Sequence, residues 1–221
     1  MAYTNNTPPV KNETLTTAAT TILAACALLL TASNVRESIA HTQPPPPVYT
    51  VPDWRAYAAV GHRDGPFDSK VTITMFSDYQ CGACKAAMRV LNTLRQEHPT
   101  SVAVVLRHFP LPGHPNALAT ARAAVCAAEQ GKFKEFHEVA FENSDSLDTV
   151  RVQHYATQAG VPNQASFAAC LASERPDRAV NADVEAARKL GVLGTPTVLV
   201  NQDQYLGVKG LKKIVRRHLS E

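Results

Sequence analysis

Beyond position 60 the apolar residues fall into two rhythms. Val71 to Phe76 (VTITMF) alternates apolar and β-branched side chains, which predicts a buried strand. Ser77 to Gln80 breaks it. From Cys81 to about His98 the apolar positions Ala83, Met88, Leu91 and Leu94 recur at helical spacing, and Pro99 stops them. Val102 to Phe109 (VAVVLRHF) reads as a second strand. Strand, helix, strand in this order predicts a right-handed crossover between parallel strands.

A long helical region follows. Asn116 to Glu129 is rich in alanine, and Lys132 to Glu142 places Phe133, Phe136, Val139 and Ala140 on one side. Leu147 to Ala159, Asn163 to Ser173 and Arg178 to Leu190 continue it with no strand-like run between. After Gly194-Thr195-Pro196 comes a strand, Thr197 to Val200. A turn at Asn201 to Gln204 is expected to lead to a hairpin partner at Tyr205 to Val208, and Leu211 to Leu219 forms a final basic helix. The expected fold is one α/β domain at 59–221, a mixed sheet carrying a helical insert at about 115–190.

The chain before this domain reads differently. No charged residue lies between Glu13 and Arg36, and Leu15 to Ala32 is mostly apolar or small. After a tail at 1–13, the segment 14–35 has about the 20 residues a membrane-crossing helix needs. A retained anchor is the favoured reading. A cleaved signal peptide is a second, weakened by the single Lys11 ahead of the span. A lipoprotein signal ending at Cys26 is a third, but the most apolar residues, Ala27 to Leu30, follow the cysteine rather than precede it. Arg36 and Lys11 on opposite sides leave the orientation nearly undecided. Residues 36–58 contain four consecutive prolines, Pro44 to Pro47, and read as a stiff spacer. Trp54 is expected to dock on the domain beyond.

Composition removes some classes of function. A formal net charge of +3 without a basic stripe interleaved with aromatics excludes a nucleic-acid partner from the expectation. The cluster Lys209, Lys212, Lys213, Arg216 and Arg217 reads as a solvated helix face rather than a phosphate site. Five cysteines, at 26, 81, 84, 126 and 170, are too few for a disulfide-dense scaffold.

Cys81-Gly82-Ala83-Cys84 carries candidate chemistry. Two thiols at this spacing, placed at the first turn of a helix, can close a small disulfide ring. Unpaired N–H groups and the helix dipole there favour the thiolate of the first cysteine, which is the attacking and leaving species in thiol–disulfide exchange. Half of a zinc site has the same spacing. Its completion needs a second close pair, whereas Cys126 and Cys170 stand far apart, and His98, His108 and His114 have no telling partner spacing. No metal is expected.

Several segments together resemble the DsbA-like thioredoxin-fold family, in its branch of membrane-anchored disulfide oxidoreductases of bacterial envelopes. They are Met75 to Cys81 with Cys84, Arg107 to Leu111, His114-Pro115, Cys126 to Phe133, and Gly194 to Thr197. The resemblance covers about residues 60 to 221. It implies a thioredoxin fold with an all-helical insert and a cis peptide bond before Pro196. The backbone of Thr195 would then lie beside Cys81, where a substrate strand can pair with it. It also implies a structural disulfide between Cys126 and Cys170, with two unpaired buried thiols as the alternative. The implied reaction needs no cofactor beyond the redox-active Cys81–Cys84 disulfide. Its partners would be cysteine-containing proteins and a membrane redox partner, with the domain on the periplasmic side of a single-pass inner-membrane anchor.

The dipeptide Gly82-Ala83 departs from the proline or histidine of many family members. Without that histidine one donor to the Cys81 thiolate is missing, so a weaker oxidant, an isomerase or a reductase stays open beside a dithiol oxidase. A peptide-binding chaperone and a metal-handling thiol protein share parts of the pattern. Asp78, three residues before Cys81, either assists proton transfer from Cys84 or satisfies turn backbone, the commoner use of aspartate at such a junction.

Overall fold

The computed structural model describes residues 49–147 and 151–221. In chain order these form β1 (Tyr49–Thr50), α1 (Trp54–Ala58), β2 (His62–Asp64), β3 (Val71–Ser77), α2 (Gly82–Glu97) and β4 (Val102–His108). Then come α3 (Ala117–Ala128), α4 (Phe133–Glu142), a short 3-10 turn at Ser144–Ser146, α5 (Val152–Gln158), α6 (Gln164–Leu171) and α7 (Arg175–Lys189). β5 (Thr197–Val200), β6 (Asp203–Leu206) and α8 (Leu211–Ser220) end the chain.

The strands make one sheet in the order β1-β6-β5-β3-β4-β2. β3 and β4 are parallel, from Val71 opposite Val102 to Ser77 opposite His108, and the other pairings are antiparallel. Every residue of β3 and β4 is buried, as expected of central strands covered on both faces. The period of two sorts their side chains. Val71, Ile73 and Met75 share a core with Val104, Leu106, Val198 and Val200, closed by Leu91 and Leu94 of α2 and by the insert helices. Phe76 and Leu199 point the other way and pack with Trp54, Ala58, Ala187 and Val192. Each large aliphatic side chain so buried contributes about 1.5–3 kcal/mol relative to exposure.

This second core receives Trp54, the residue expected to dock on the domain. The spacer expected over 36–58 is ordered structure from Tyr49 onward, because Val51 and Trp54 have a hydrophobic face to cover. β1 pairs with β6, and the Val51 N–H donates to the Gln202 carbonyl at 2.7 Å. β1 sits at a sheet edge. The last hairpin is also tighter than expected. Val200 faces Asp203 across a two-residue turn in which Asn201 takes the left-handed conformation that asparagine tolerates, φ 50°. The partner strand therefore starts at Asp203, not Tyr205.

On α2, Cys84, Ala87, Met88, Leu91 and Leu94 form the buried face. Ala83, expected among them, is exposed, one step off that row. Among the described residues no helix is long and apolar enough to cross a membrane. The expected anchor at 14–35, Cys26 and the prolines 44–47 lie outside the described residues.

Candidate active site

Cys81 is the N-cap of α2, with extended backbone (φ −83°, ψ 110°). Its carbonyl accepts the N–H groups of Cys84 and Lys85 at 2.9 and 3.1 Å, which starts the helix. Its side chain is therefore at the positive end of a 16-residue helix, beside N–H groups that have no partner further up the chain. Cys84, one turn on, faces the core and is wholly buried, whereas Cys81 retains 9% exposure. Both are free thiols. Burial pushes the Cys84 thiol up to about 12.

Thr195 reaches the same point from the other half of the domain. α7 ends at Leu190, after which Gly191 takes φ 67° and the Val192 N–H donates back to the Ala187 carbonyl at 3.0 Å. That left-handed closure, which glycine permits without steric cost, turns the chain back toward the sheet. The Thr195–Pro196 peptide bond is cis. The Cys81 thiol donates to the Thr195 carbonyl at 3.4 Å, and Thr197 follows as the first residue of β5.

Asp78 holds the loop between β3 and α2. Its Oδ1 accepts the Gln80 N–H at 2.6 Å, and its Oδ2 accepts the Leu111 N–H at 2.7 Å and lies 2.9 Å from Nδ1 of His114. Gln80 accepts the Asn116 N–H at 2.6 Å. The buried carboxylate is thus committed to backbone and to His114, the turn-satisfying use rather than a base free to reach Cys84.

A cluster of imidazoles and aromatic rings, not foreseen from the sequence, lies behind this loop. The Tyr79 hydroxyl and Nδ1 of His137 are 3.1 Å apart, and the Nε2 atoms of His108 and His62 are 3.3 Å apart. His62 stacks on Phe133 at 3.6 Å between ring centroids, and His137 stands edge-on to Phe141. Burial is the main cause that lowers all three histidines, His62 and His137 to about 3 and His108 to about 4. Phe133, His137 and Phe141 recur every four residues along α4, so a stripe at that spacing was the available signal. His62 and His108 had none.

Cys126 of α3 and Cys170 of α6 are joined by a disulfide, with Cα atoms 5.7 Å apart. In the terminal basic cluster, Lys212 pairs with Glu97 at 3.2 Å, and Arg217 contacts Asp203 and the Tyr205 hydroxyl. Among the described residues, no group of three or more His, Cys, Asp or Glu side chains is placed to hold a metal ion.

A mixed sheet with a helical insert, a Cys-x-x-Cys at a helix N-terminus and a facing cis-proline loop define a protein of the thioredoxin fold. The sequence family described as Thioredoxin matches residues 59–217, and the chain belongs to it. Among curated proteins, the Na(+)/H(+) antiporter NhaA 3 of Salinispora tropica is 35% identical over 147 residues, 66% of this chain and 22% of that protein. The chain thus matches under a quarter of that relative's length. Among solved structures, the thiol-disulfide exchange protein alpha-DsbA2 of Wolbachia pipientis superposes with a TM-score of 0.67 at 20% identity, covering 76% of this chain and 91% of its own. BdbD of Bacillus subtilis, in its oxidised form, gives 0.67 at 18% identity, over 80% and 100%.

Proposed function

We propose that the domain at 59–221 is a thiol:disulfide oxidoreductase that exchanges disulfides with cysteine-containing envelope proteins through Cys81 and Cys84, acting as a dithiol oxidase. The observation that carries this reading is the asymmetry of the pair. Cys81 caps the helix and touches the Thr195 carbonyl, while Cys84 is enclosed behind it. In the oxidised protein a substrate thiolate attacks Cys81, Cys84 departs, and a mixed disulfide forms. A second substrate thiolate then attacks that bond, which releases oxidised substrate and the reduced protein. Thr195 and Pro196 supply the backbone against which an extended substrate lies.

The Cys126–Cys170 disulfide supports an oxidising compartment. Placement outside the bacterial cytoplasm, behind an anchor at 14–35 and a spacer, belongs to the same proposal, as does recycling by a membrane redox partner. Gly82 and Ala83 favour a second reading, a reductase or isomerase, because neither side chain donates to the Cys81 thiolate. Cys81→Ser is expected to abolish oxidation of a reduced protein substrate, and full activity in that variant overturns thiol exchange. The equilibrium redox potential against glutathione separates the directions: a value near that of thioredoxin, about −270 mV, marks a reductase, and one near that of DsbA, about −120 mV, an oxidase.

A further inference from the structure

Cys84 must leave the disulfide as a thiolate, in a place where water does not solvate it. Its side chain is fully buried. Burial dominates its high pKa and the neighbouring Cys81 adds to it, whereas the Asp78 N–H and the Thr195 and Ser77 hydroxyls act in the opposite sense by hydrogen bonding to the thiolate. Ser77 continues the Val71, Ile73 and Met75 side of β3, the side whose core contains Cys84. The Asp78 carboxylate is engaged by Gln80, Leu111 and His114.

Ser77 is the last residue of β3, four positions before Cys81, and 8% exposed. Its Oγ and that of Thr195 are shielded from solvent and committed to no hydrogen-bond partner in the dithiol form. Leaving a buried hydroxyl uncommitted is unfavourable, so a state that engages it is favoured by the same amount. The departure of Cys84 creates a strong acceptor in this core. We propose, on the basis of the exchange function above, that Ser77 is a catalytic hydrogen-bond donor to the departing Cys84 thiolate, with Thr195 Oγ1 as a second donor.

The step balances without a further reactant. The substrate thiolate's electron pair forms the new bond to Cys81 Sγ, and the pair of the Cys81–Cys84 bond departs on Cys84 Sγ. Ser77 keeps its proton and donates only a hydrogen bond; the thiolate is later protonated by water. Because reduced Cys84 rests as a thiol near neutral pH, a donor that acts on its thiolate changes rates in both directions and leaves the equilibrium in place.

The test uses the full chain in its disulfide form, mixed with dithiothreitol at pH 7, quenched with acid, and scored by alkylation and mass. Ser77→Ala is expected to slow reduction about tenfold, since a bond to a charged group is at stake. Re-oxidation by oxidised dithiothreitol slows by the same factor, and the equilibrium constant between the two pairs stays within about twofold. Ser77→Thr, which keeps the hydroxyl, restores most of the rate. An unchanged rate in Ser77→Ala, or an equilibrium constant that moves with the rate, overturns the proposal. A parent protein whose reaction with dithiothreitol does not depend on Cys81 overturns the exchange function as well, which tells the two failures apart.

Discussion

At the scale of single residues, the two thiols differ less in exposure than in what surrounds them. Cys81 has the start of a helix and a carbonyl beside it; Cys84 has the core. Alkylation needs a thiolate, and burial holds the Cys84 thiol up at about 12. Brief treatment of the reduced protein with iodoacetamide at pH 7.5 is therefore expected to modify Cys81 at least tenfold faster than Cys84. Peptide mass mapping reads this, and equal labelling of the two would contradict the asymmetry. The spacing of the pair was legible in the sequence, but the helical row was read through Ala83, whereas Cys84 is the residue in line with Met88 and Leu91. The role of Asp78 was legible only as a choice between two. Its deciding partners, Leu111 and His114, lie more than thirty positions away, where no local pattern points back to it.

At the scale of elements, long periodic segments were legible and short ones were not. β3, α2 and β4 carry enough turns or alternations for their period to show. β1 and β2 are two and three residues long, mostly polar, and exist because β6 and β4 offer them a partner. The way α7 meets the sheet was equally hidden. Asp183, a buried carboxylate on that helix, accepts from Nε of Arg107 at 2.7 Å and from the His108 N–H at 2.8 Å. The Arg107 guanidinium also donates to the Tyr57 carbonyl at 3.2 Å, so one ion pair joins α7, β4 and the end of α1. Burial raises the Asp183 pKa, and the Arg107 charge and the His108 N–H oppose this. Asp183→Ala leaves a buried guanidinium without its counter-charge and is expected to cost about 3–5 kcal/mol in urea unfolding. A loss below about 1 kcal/mol would mean that water replaces the carboxylate. For the link between α3 and α6, the double variant Cys126→Ala/Cys170→Ala is expected to lose up to about 4 kcal/mol, the chain-entropy value for its 44-residue separation. Thermal unfolding with and without reductant checks it.

For the whole molecule, His62, His108 and His137 set a response to acid. Their pKa values in the folded protein, about 3 to 4, lie below the ordinary 6.5, so the unfolded chain binds more protons between these limits. Stability is expected to be complete above about pH 6.5 and to fall as pH drops toward 4, by at most about 1.4 kcal/mol per pH unit for each histidine. Urea midpoints measured from pH 7 to 4.5 read the slope. A flat profile would show that the imidazoles protonate in place. Because Tyr79 joins His137 to the loop that carries Cys81, acid is expected to disturb that loop early.

The order of segments, the single mixed sheet and the position of the insert could be read along the chain, because each rests on a long run of residues. The docking of Trp54 was legible too, but not what it covers: Phe76 and Leu199 lie far along the chain, and no local pattern pairs them with it.

The Cys126–Cys170 bond has a further consequence for such a molecule. Both of its cysteines are within 1% of complete burial, in the same core as Cys84, so no external thiolate reaches them while the fold persists. Mild reductant should release two thiols from the oxidised pair at Cys81 and Cys84, and unfolding in the same reductant two more. The protein thereby keeps one disulfide kinetically insulated from the chemistry proposed for the other, and the stepwise count becomes a direct gauge of whether its interior is intact.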